Sequence, residues 1–499
     1  MIGEFFKLLL CVPLIFIAYK TYSIYAIRKK YSHIPGPKTK GILGFYLGNL
    51  SEALRYIRGG RLLADMMLDM CNDYGRVFKF QIVDKIVVFT IEPEAVKEVL
   101  INQNFPKVPE IYKQVGFPYN ERYLGNGLLS DTDFGSWQKR RVLFNHGFQR
   151  NILLNSIDEL NSKIDMLMMR LRSLADGKTR INLLKEISHA ALDIIANIAF
   201  SMQVDTINDP SNELNHYVYE SLKGFYRQTF EPFLAYNPGE WKWLRSYKII
   251  IRKLRDIGKR HIMKRLLYLQ NDNYVPDDIL TNLLKNHEDE KFNVDNMVDD
   301  FLTFFVAGQE TTANTLAFCM LEIGRNPHVF DKLKNEIDSV LGSKSFINND
   351  DLAKLTYTNC VYKETLRLWP PIPEIARISN KDLNLNGYHI PTGSWIEVST
   401  YVSGRFEQYF ENPHVFEPER FKYDITNQKI NNYTYFPFSL GARNCIGQNL
   451  AKLVGRILIA KFVQNFEIIL DPAQNFGVIQ EATLRPADGT QCFLLPRKN

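Results

Sequence analysis

The sequence predicts a mainly α protein with small peripheral β-sheets, an α+β architecture. From about residue 92 to 340, apolar residues recur at three- and four-residue spacing, which is typical of helices that pack on a core. Strand-like stretches are short, as in Val77–Ile82 and Ile86–Thr90. With 499 residues, 45% of them hydrophobic, the chain is long enough to bury a large core.

Two turns predict hairpins at the edge of this helical body. Asn386-Gly387 follows Leu383-Asn-Leu, and Asp488-Gly489 follows Ala487. Asn-Gly and Asp-Gly favour tight turns in which both central residues have positive φ. We therefore expect one hairpin around each dipeptide.

No repeat, low-complexity tract or long Gly/Ser linker divides the chain, so one large domain is expected over residues 38–499. Residues 1–30 are predicted to form a membrane anchor, because the stretch 5–27 is long and apolar enough to span a bilayer as a single helix. Lys20 interrupts this stretch and would have to extend toward the interface. Residues 31–37 form a hinge that ends in Pro-Gly-Pro.

Charge and cysteine usage narrow the cellular context. The basic run at 28–30 places the remaining chain on the cytosolic side of the membrane. A net charge of +6, dispersed along the chain, argues against nucleic acid and fits an acidic protein partner or an anionic membrane surface. Single cysteines without CxxC spacing are typical of a reducing compartment. They are Cys11, Cys71, Cys319, Cys360, Cys445 and Cys492.

The most specific stretch is Phe438-Ser-Leu-Gly441-Ala-Arg443-Asn-Cys445-Ile-Gly447. Cys445 precedes a predicted helix, whose dipole and free N–H groups favour a thiolate. Gly441 and Gly447 lack a Cβ, so the backbone can approach a flat cofactor and donate N–H bonds to the sulfur. Arg443 can pair with an acidic group on that cofactor. A buried structural cysteine is the alternative, but the fixed spacing around Cys445 argues against it.

This stretch resembles the haem-binding loop of the cytochrome P450 family, Phe-x-x-Gly-x-Arg-x-Cys-x-Gly, at every fixed position. The resemblance covers residues 34–497 and implies the family's helix-rich fold with a haem buried between two central helices. It implies haem b as cofactor, with Cys445 as the iron ligand and Phe438, Gly441 and Arg443 around it. It also implies a monooxygenase on the endoplasmic reticulum membrane. The electrons would come from NADPH through a separate NADPH–cytochrome P450 reductase, with cytochrome b5 as a further partner.

A predicted helix carries a second motif, Ala307-Gly308-Gln309-Glu310-Thr311. Glycine in mid-helix costs about 1 kcal/mol relative to alanine, so Gly308 is expected to have a packing reason, such as a flat ligand against the backbone. Thr311 can bond the Ala307 carbonyl and loosen the helix there. An ordinary buried helix is the alternative. The motif is similar to the family's Ala/Gly-Gly-x-Asp/Glu-Thr, which implies that Glu310 and Thr311 relay protons during dioxygen activation.

Three further residues resemble the family's structural lock. Glu364 and Arg367 lie at i and i+3 of a predicted helix, a spacing that is usually surface decoration. They match the family's Glu-x-x-Arg motif, and Arg420 in Phe416-Glu-Pro-Glu-Arg420-Phe matches its downstream arginine. The resemblance implies that these three residues are structural and needed for haem incorporation.

Other basic residues are expected to contact the cofactor or the reductase. Trp137 and Arg141 lie one helical turn apart, and an indole N–H beside a guanidinium suits a carboxylate. The resemblance implies that Trp137, Arg141, Arg377 and Arg443 contact the haem propionates. Four further cations are expected to receive an acidic reductase, with a solvated basic face as the alternative. They are Lys139, Arg140, Lys452 and Arg456.

Several segments look most like the sterol side-chain hydroxylase branch, the cholesterol 24-hydroxylases. They are 120–130, 275–285, 399–405, 433–440 and 481–486. This likeness implies insertion of one oxygen atom into a C–H bond of a sterol side chain.

Departures from that branch leave other readings open. Gln309 stands where the branch has His, and the regions 106–119 and 205–245 diverge. A fatty-acid or xenobiotic hydroxylase of the same family is the alternative. A non-catalytic haem- or lipid-binding protein is a more remote one, against which the intact Glu310-Thr311 pair argues.

Overall fold

The computed structural model describes residues 2–231, 233–285, 293–422 and 430–497, with side chains from residue 12 onward except that of Phe230. Over these residues the fold is mainly helical with small sheets, as predicted. The helices are α1 Ile2–Lys30, α2 Gly41–Leu47, α3 Leu50–Arg58, α4 Leu63–Tyr74, α5 Pro93–Lys97, α6 Pro109–Gly116, α7 Phe134–Gly147, α8 Arg150–Leu154, α9 Ile157–Leu174, α10 Leu183–Phe200, α11 Glu213–Phe230, α12 Trp241–Gln270, α13 Ile279–Lys285, α14 Val294–Arg325, α15 Pro327–Val340, α16 Asn349–Lys354, α17 Thr356–Leu368, α18 Thr400–Arg405 and α19 Gln448–Asn465. The strands are β1 Val77–Ile82, β2 Lys85–Thr90, β3 Ile181–Asn182, β4 Glu374–Ile378, β5 Leu383–Leu385, β6 Tyr388–Ile390, β7 Trp395–Ser399, β8 Phe466–Leu470, β9 Val478–Gln480, β10 Leu484–Pro486 and β11 Gln491–Pro496.

The chain divides into two compact units, each assembled from three segments. The first unit comprises Met1–Val108, Pro373–Pro413 and Asn431–Asn444. The second unit comprises Pro109–Ile372, His414–Ile430 and Cys445–Asn499.

A four-stranded sheet in the order β1-β2-β7-β4 organises the first unit. Neighbouring strands are antiparallel except β2 and β7, which run parallel. Parallel neighbours need a long crossover, and the longest segment of the second unit, Pro109–Ile372, lies between these two strands in the sequence. The sheet packs on an apolar core that includes Val88, Leu100, Ile396 and Phe436.

The strand and hairpin predictions in this unit are confirmed. β1 has the predicted bounds, and β2 begins one residue before the predicted strand. β5 and β6 form the predicted hairpin. Asn386 and Gly387 at its turn have φ of 50° and 86°, the positive values that a tight two-residue turn requires.

The second half of α1 packs against the first unit. Lys20 Nζ lies 2.8 Å from Asp84 Oδ2, and Arg28 Nε donates to Gln81 Oε1 at 2.8 Å. Ile24 is 2% exposed. None of the helices within the described residues combines the length and apolar character that a bilayer crossing needs. The predicted span over 5–27 lies within α1, and polar contacts join the second half of this helix to the β1–β2 hairpin.

The second unit is built around α14, whose residues 298–306 and 313–323 are almost all buried. The neighbours of α14 include α10, α12, α17, α19 and β10. Phe304 anchors the aromatic packing, since its ring centroid lies 4.7 Å from that of Phe144 and 5.2 Å from that of Phe148. This packing fixes the position of the intervening turn 307–312.

One hairpin prediction in the second unit is wrong. β10 pairs back with β9, whereas β11 joins the sheet β3-β11-β8. Asp488-Gly489 therefore forms a turn between strands of two different sheets. Positive φ is found at Gly489 (74°) and Thr490 (60°) and not at Asp488, so the turn differs from the expected tight turn, and the strands it connects do not pair with each other.

Candidate active site

Cys445 lies at the start of α19, as predicted from the sequence. Gly447 is the N-cap of this helix, and the backbone N–H groups of Gly447 and Gln448 donate hydrogen bonds to Cys445 Sγ. The residue has solvent-accessible surface, although protein atoms closely surround its thiol. Backbone N–H donors on a sulfur are the outer contacts that orient a metal-bound thiolate.

Burial raises the pKa of the free Cys445 thiol above its ordinary value. The Gly447 N–H, the positive charges of Arg141 and Lys452 and the Gln448 N–H all act to lower it. The helix terminus therefore favours the thiolate as expected, but desolvation outweighs it in the free thiol. A coordinating metal ion displaces the thiol proton outright.

The donor set at Cys445 suits a metal that brings most of its own ligands. Among the described residues, no group of three or more His, Cys, Asp or Glu side chains could hold a metal ion. Iron in a haem has four ring nitrogens and needs one axial protein ligand, and a thiolate can serve as that ligand. The residues present therefore fit a haem held through Cys445.

Trp137 and Arg141 lie on one face of α7, as their spacing predicts. The guanidinium carbon of Arg141 lies 5.9 Å from the Trp137 ring centroid, and Arg141 Nε donates to Asn145 Oδ1 at 2.8 Å. Trp137 is 3% exposed. Arg141 is close enough to Cys445 for its charge to favour the thiolate, which links this helix to the cysteine.

Four predicted cofactor residues lie in the first unit. Gly441 has φ of 72°, and a Cβ there would lie 1.9 Å from the Leu100 carbonyl oxygen. Backbone packing within this unit is thus sufficient reason for the glycine. Phe438 and Arg443 flank it on the same loop, and Arg377 is a 3% exposed residue of β4. Their contacts with a haem stay predictions.

The turn 307–312 is the least buried part of the central stretch of α14. Thr311 Oγ1 donates to the Ala307 carbonyl at 2.7 Å, which is the bond expected from the sequence. A Cβ on Gly308 would lie 2.9 Å from Ile195 Cγ1 of α10, so this glycine is required by helix packing. The accessible surface at this turn, in an otherwise buried helix, is where a ligand can reach α14.

Glu310 holds its carboxyl group in a polar pocket on α14. Thr483 Oγ1 donates to Glu310 Oε1 at 2.9 Å, and Asn314 Nδ2 donates to the same oxygen at 3.2 Å. Burial raises the pKa of Glu310, and the hydrogen bonds from Thr483 and Asn314 lower it without cancelling that effect. A carboxyl group with a raised pKa keeps its proton to higher pH than an ordinary glutamate and can donate that proton to a neighbouring group.

Sequence reasoning missed Asn314 and Thr483 as neighbours of Glu310. Asn314 lies four residues after Glu310, so the i, i+4 spacing on a helix was a usable signal. Thr483 is separated from Glu310 by 173 residues, and no local pattern marks it.

Glu364, Arg367 and Arg420 come together as predicted. Arg367 Nε and NH2 each donate to Glu364 at 2.8 Å, and Arg420 Nε donates to Glu364 Oε1 at 3.0 Å. The Glu417 backbone N–H adds a bond of 2.9 Å. The side chains of Glu364 and Arg367 are 0% exposed, so this pair is a fully buried ion pair and not surface decoration.

One of the four expected reductase-binding cations is engaged inside the second unit. Arg140 binds Asp131 and lies 3.2 Å from Asp300 Oδ2, with its side chain 19% exposed. Its predicted place on a free basic face is therefore wrong, because two carboxylates already pair with it. Lys139, its neighbour in the sequence, is exposed.

Comparison with known proteins identifies the family of this chain. The cytochrome P450 family profile matches residues 43–493. Similar relatives include cytochrome P450 4d2 of Drosophila melanogaster, 30% identical over 93% of this chain and 94% of the relative. Cytochrome P450 3A12 of Canis lupus familiaris is 26% identical over 92% and 90%. This chain therefore belongs to the cytochrome P450 family, and it is a monooxygenase that uses a haem whose iron is bound by a cysteine thiolate.

Proposed function

We propose that Cys445 is the iron ligand and that Glu310 and Thr311 form the proton relay of this monooxygenase. The observation that carries the proposal is the hydrogen-bonded sulfur of Cys445, which suits a metal-binding thiolate at the start of α19. A haem held by this residue would supply the activation of dioxygen, one atom of which enters a C–H bond of the substrate. Phe438, Gly441 and Arg443 would line the same cofactor.

The residues of this chain have distinct tasks in that proposal. The N–H groups of Gly447 and Gln448 orient the sulfur and stabilise its negative charge. Glu310 holds a proton on its carboxyl group, and the Thr311 hydroxyl, oriented by the Ala307 carbonyl, passes protons on. Trp137, Arg141 and Arg377 would bind the haem carboxylates.

The substrate is proposed to be a fatty acid or an apolar xenobiotic. The relatives found carry names of the P450 4 and 3A series, and none of those names refers to a sterol. Gln309, where the sterol branch has His, agrees with that difference. Sterol side-chain hydroxylation is therefore the second candidate, and its support is the likeness of the short segments in the sequence.

An optical titration of the ferric protein tests the substrate class. Lauric acid, cholesterol and an apolar drug without a steroid nucleus would each be added to separate samples. We expect a low- to high-spin Soret shift with the fatty acid or the drug and none with cholesterol. A Soret shift with cholesterol alone would instead indicate that the substrate is a sterol.

The thiolate assignment has its own test. Cys445→Ser should abolish the red-shifted Soret band that the ferrous carbon monoxide complex of a thiolate-bound haem shows, and turnover should fall to background. Cys360→Ser is the matched control, since Cys360 is a buried free cysteine of α17 outside the proposed site. A normal spectrum in Cys445→Ser would overturn the assignment.

We also propose that the protein is attached to the endoplasmic reticulum membrane and that it receives electrons from NADPH–cytochrome P450 reductase. Leu14, Ile15 and Phe16 on α1 are 65%, 67% and 59% exposed, and a run of exposed apolar side chains favours contact with lipid. Changing Ile15 and Phe16 to lysine should release the full chain from microsomal membranes at high pH. If this variant stays on the membranes, α1 does not attach the protein to them.

A further inference from the structure

The carboxyl group of Glu310 is fixed through only one of its two oxygens. Both Thr483 Oγ1 and Asn314 Nδ2 donate to Oε1, at 2.9 Å and 3.2 Å. No hydrogen bond from the described residues reaches Oε2. The two oxygens of this carboxyl group therefore have different surroundings.

The direction of these hydrogen bonds is set by Asn314. Its Nδ2 also donates to Thr483 Oγ1 at 2.6 Å. A hydroxyl group has one hydrogen to donate, and because Thr483 Oγ1 accepts from Asn314, that hydrogen is available for Glu310. Asn314 and Thr483 are 1% and 5% exposed, so water does not compete freely for these positions.

Thr483 is itself held firmly. It ends the three-residue tip 481–483 between β9 and β10, whose strands pair antiparallel. The next residue, Leu484, donates its backbone N–H to the Pro371 carbonyl at 2.9 Å. Glu481 and Arg485 close the base of the tip with an ion pair of 2.9 Å. The hairpin tip thus places a neutral donor against α14.

We propose that Thr483 and Asn314 are positioning residues that hold Oε1 of Glu310 and so present Oε2 as the oxygen that takes up and releases the relayed proton. This inference rests on the relay role proposed above for Glu310. Neutral donors suit the task, because they orient a carboxyl group without the strong preference for the anion that a guanidinium group imposes. Thr483 and Asn314 do not themselves carry the proton in this arrangement.

Charged and titratable groups from neighbouring elements also act on Glu310. Glu481 raises the pKa of Glu310 and Arg485 lowers it, both from the β9–β10 hairpin. Tyr123 is close enough for Glu310 to raise the pKa of its phenol. The Tyr123 hydroxyl lies 2.6 Å from Ser221 Oγ and not against the carboxyl group. Test variants must therefore leave Tyr123, Glu481 and Arg485 unchanged.

The test is an infrared pH titration of the resting ferric holoprotein. The carbonyl band of protonated Glu310 is identified by its absence in Glu310→Gln. Thr483→Val removes one donor to the carboxylate, so the midpoint of this band should move upward by roughly one pH unit. Thr483→Ser keeps the hydroxyl and should titrate like the parent. Thr490→Val is the matched control, because Thr490 Oγ1 is a buried donor to the Ala317 carbonyl of α14.

Hydrogen peroxide per NADPH consumed is the second readout. It should rise severalfold in Thr483→Val and stay at the parent value in Thr483→Ser and Thr490→Val. If Thr483→Val does not retain haem, Asn314→Leu replaces it and should show the same upward shift. An unchanged midpoint in the variant that retains haem would overturn the positioning role. Full coupling in Glu310→Gln would instead overturn the relay on which the inference rests.

Discussion

Glu310 and Glu364 are two carboxylates of the second unit that differ in what surrounds them. Glu364 is 0% exposed and faces the guanidinium groups of Arg367 and Arg420 together with a backbone N–H. Glu310 is half-buried, and within the described part of the chain its hydrogen bonds come from the neutral donors Thr483 and Asn314, both on one oxygen. The first arrangement joins α17 to the segment that carries Glu417 and Arg420, whereas the second leaves a carboxyl group able to exchange its proton.

The largest effect is expected at Glu364. Glu364→Ala leaves two buried guanidinium groups without their partner, and breaking a buried pair in this way costs about 3–5 kcal/mol. We expect most of the protein to be recovered without haem and with a strongly lowered unfolding midpoint. Haem content and chemical unfolding measure this.

Glu231→Ala is the control for that experiment. Glu231 pairs with Arg227 on the surface at 2.7 Å with its side chain 44% exposed, and such pairs contribute at most about 1 kcal/mol. If the two variants lose equal amounts of haem and of stability, the buried ion pair of Glu364 contributes no more than the exposed pair of Glu231.

Thr311 should affect chemistry and not stability. Thr311→Val removes the hydroxyl that binds the Ala307 carbonyl, and loss of a proton-transfer group lowers product formation by roughly 100-fold, the lower end for general acid catalysis. Haem content and the unfolding midpoint should stay near the parent values.

Thr315→Val is the matched control on the same helix. Thr315 Oγ1 donates to the Thr311 carbonyl at 2.8 Å, so the same type of bond is lost one turn further on. Comparable loss of product in Thr315→Val would show that helix geometry, and not the Thr311 hydroxyl, is responsible.

Asp300 is a buried carboxylate whose contribution to stability is expected to depend on pH. It shares Arg140 with Asp131, and burial raises its pKa from 3.8 to about 6 despite that arginine. Because the folded pKa lies above the unfolded one, the stabilisation by protonated Asp300 is complete below pH 3.8 and is lost as the pH rises through about 6.

Asp300→Asn should remove this pH dependence. Between about pH 4.5 and about pH 7.5, the parent should lose about 2 kcal/mol of unfolding free energy relative to the variant. Urea unfolding at the two pH values measures this. If the difference in unfolding free energy is the same at both pH values, the single arginine that Asp300 shares with Asp131 is enough to keep Asp300 ionised.

Local spacing is what made the site predictable. Each of three motifs lies within about one or two helical turns of sequence: the Cys445 loop, the Glu310-Thr311 pair and the Glu364–Arg367 pair. The helices α19, α14 and α17 carry these motifs, as expected. The short strands and the Asn386-Gly387 hairpin follow from equally local chemistry. Long-range partners did not follow, because nothing near Arg140 in the sequence announces Asp300, 160 residues away.

The wrong hairpin prediction has the same origin. Asp488-Gly489 was expected to turn a hairpin, but positive φ occurs at Gly489 and Thr490, and the flanking strands pair with β9 and β8 and not with each other. Turn chemistry is local, whereas strand pairing is a property of the folded unit.

The most direct test of the account is the coupling of Glu310→Gln, measured as product and hydrogen peroxide formed per NADPH. The substrate would be the compound that gives the largest Soret shift. We predict a haem content and unfolding midpoint like those of the parent, with most of the electrons recovered as peroxide. Parent-like coupling in a haem-loaded Glu310→Gln protein would contradict the assignment of Glu310 as the proton-exchanging carboxylate.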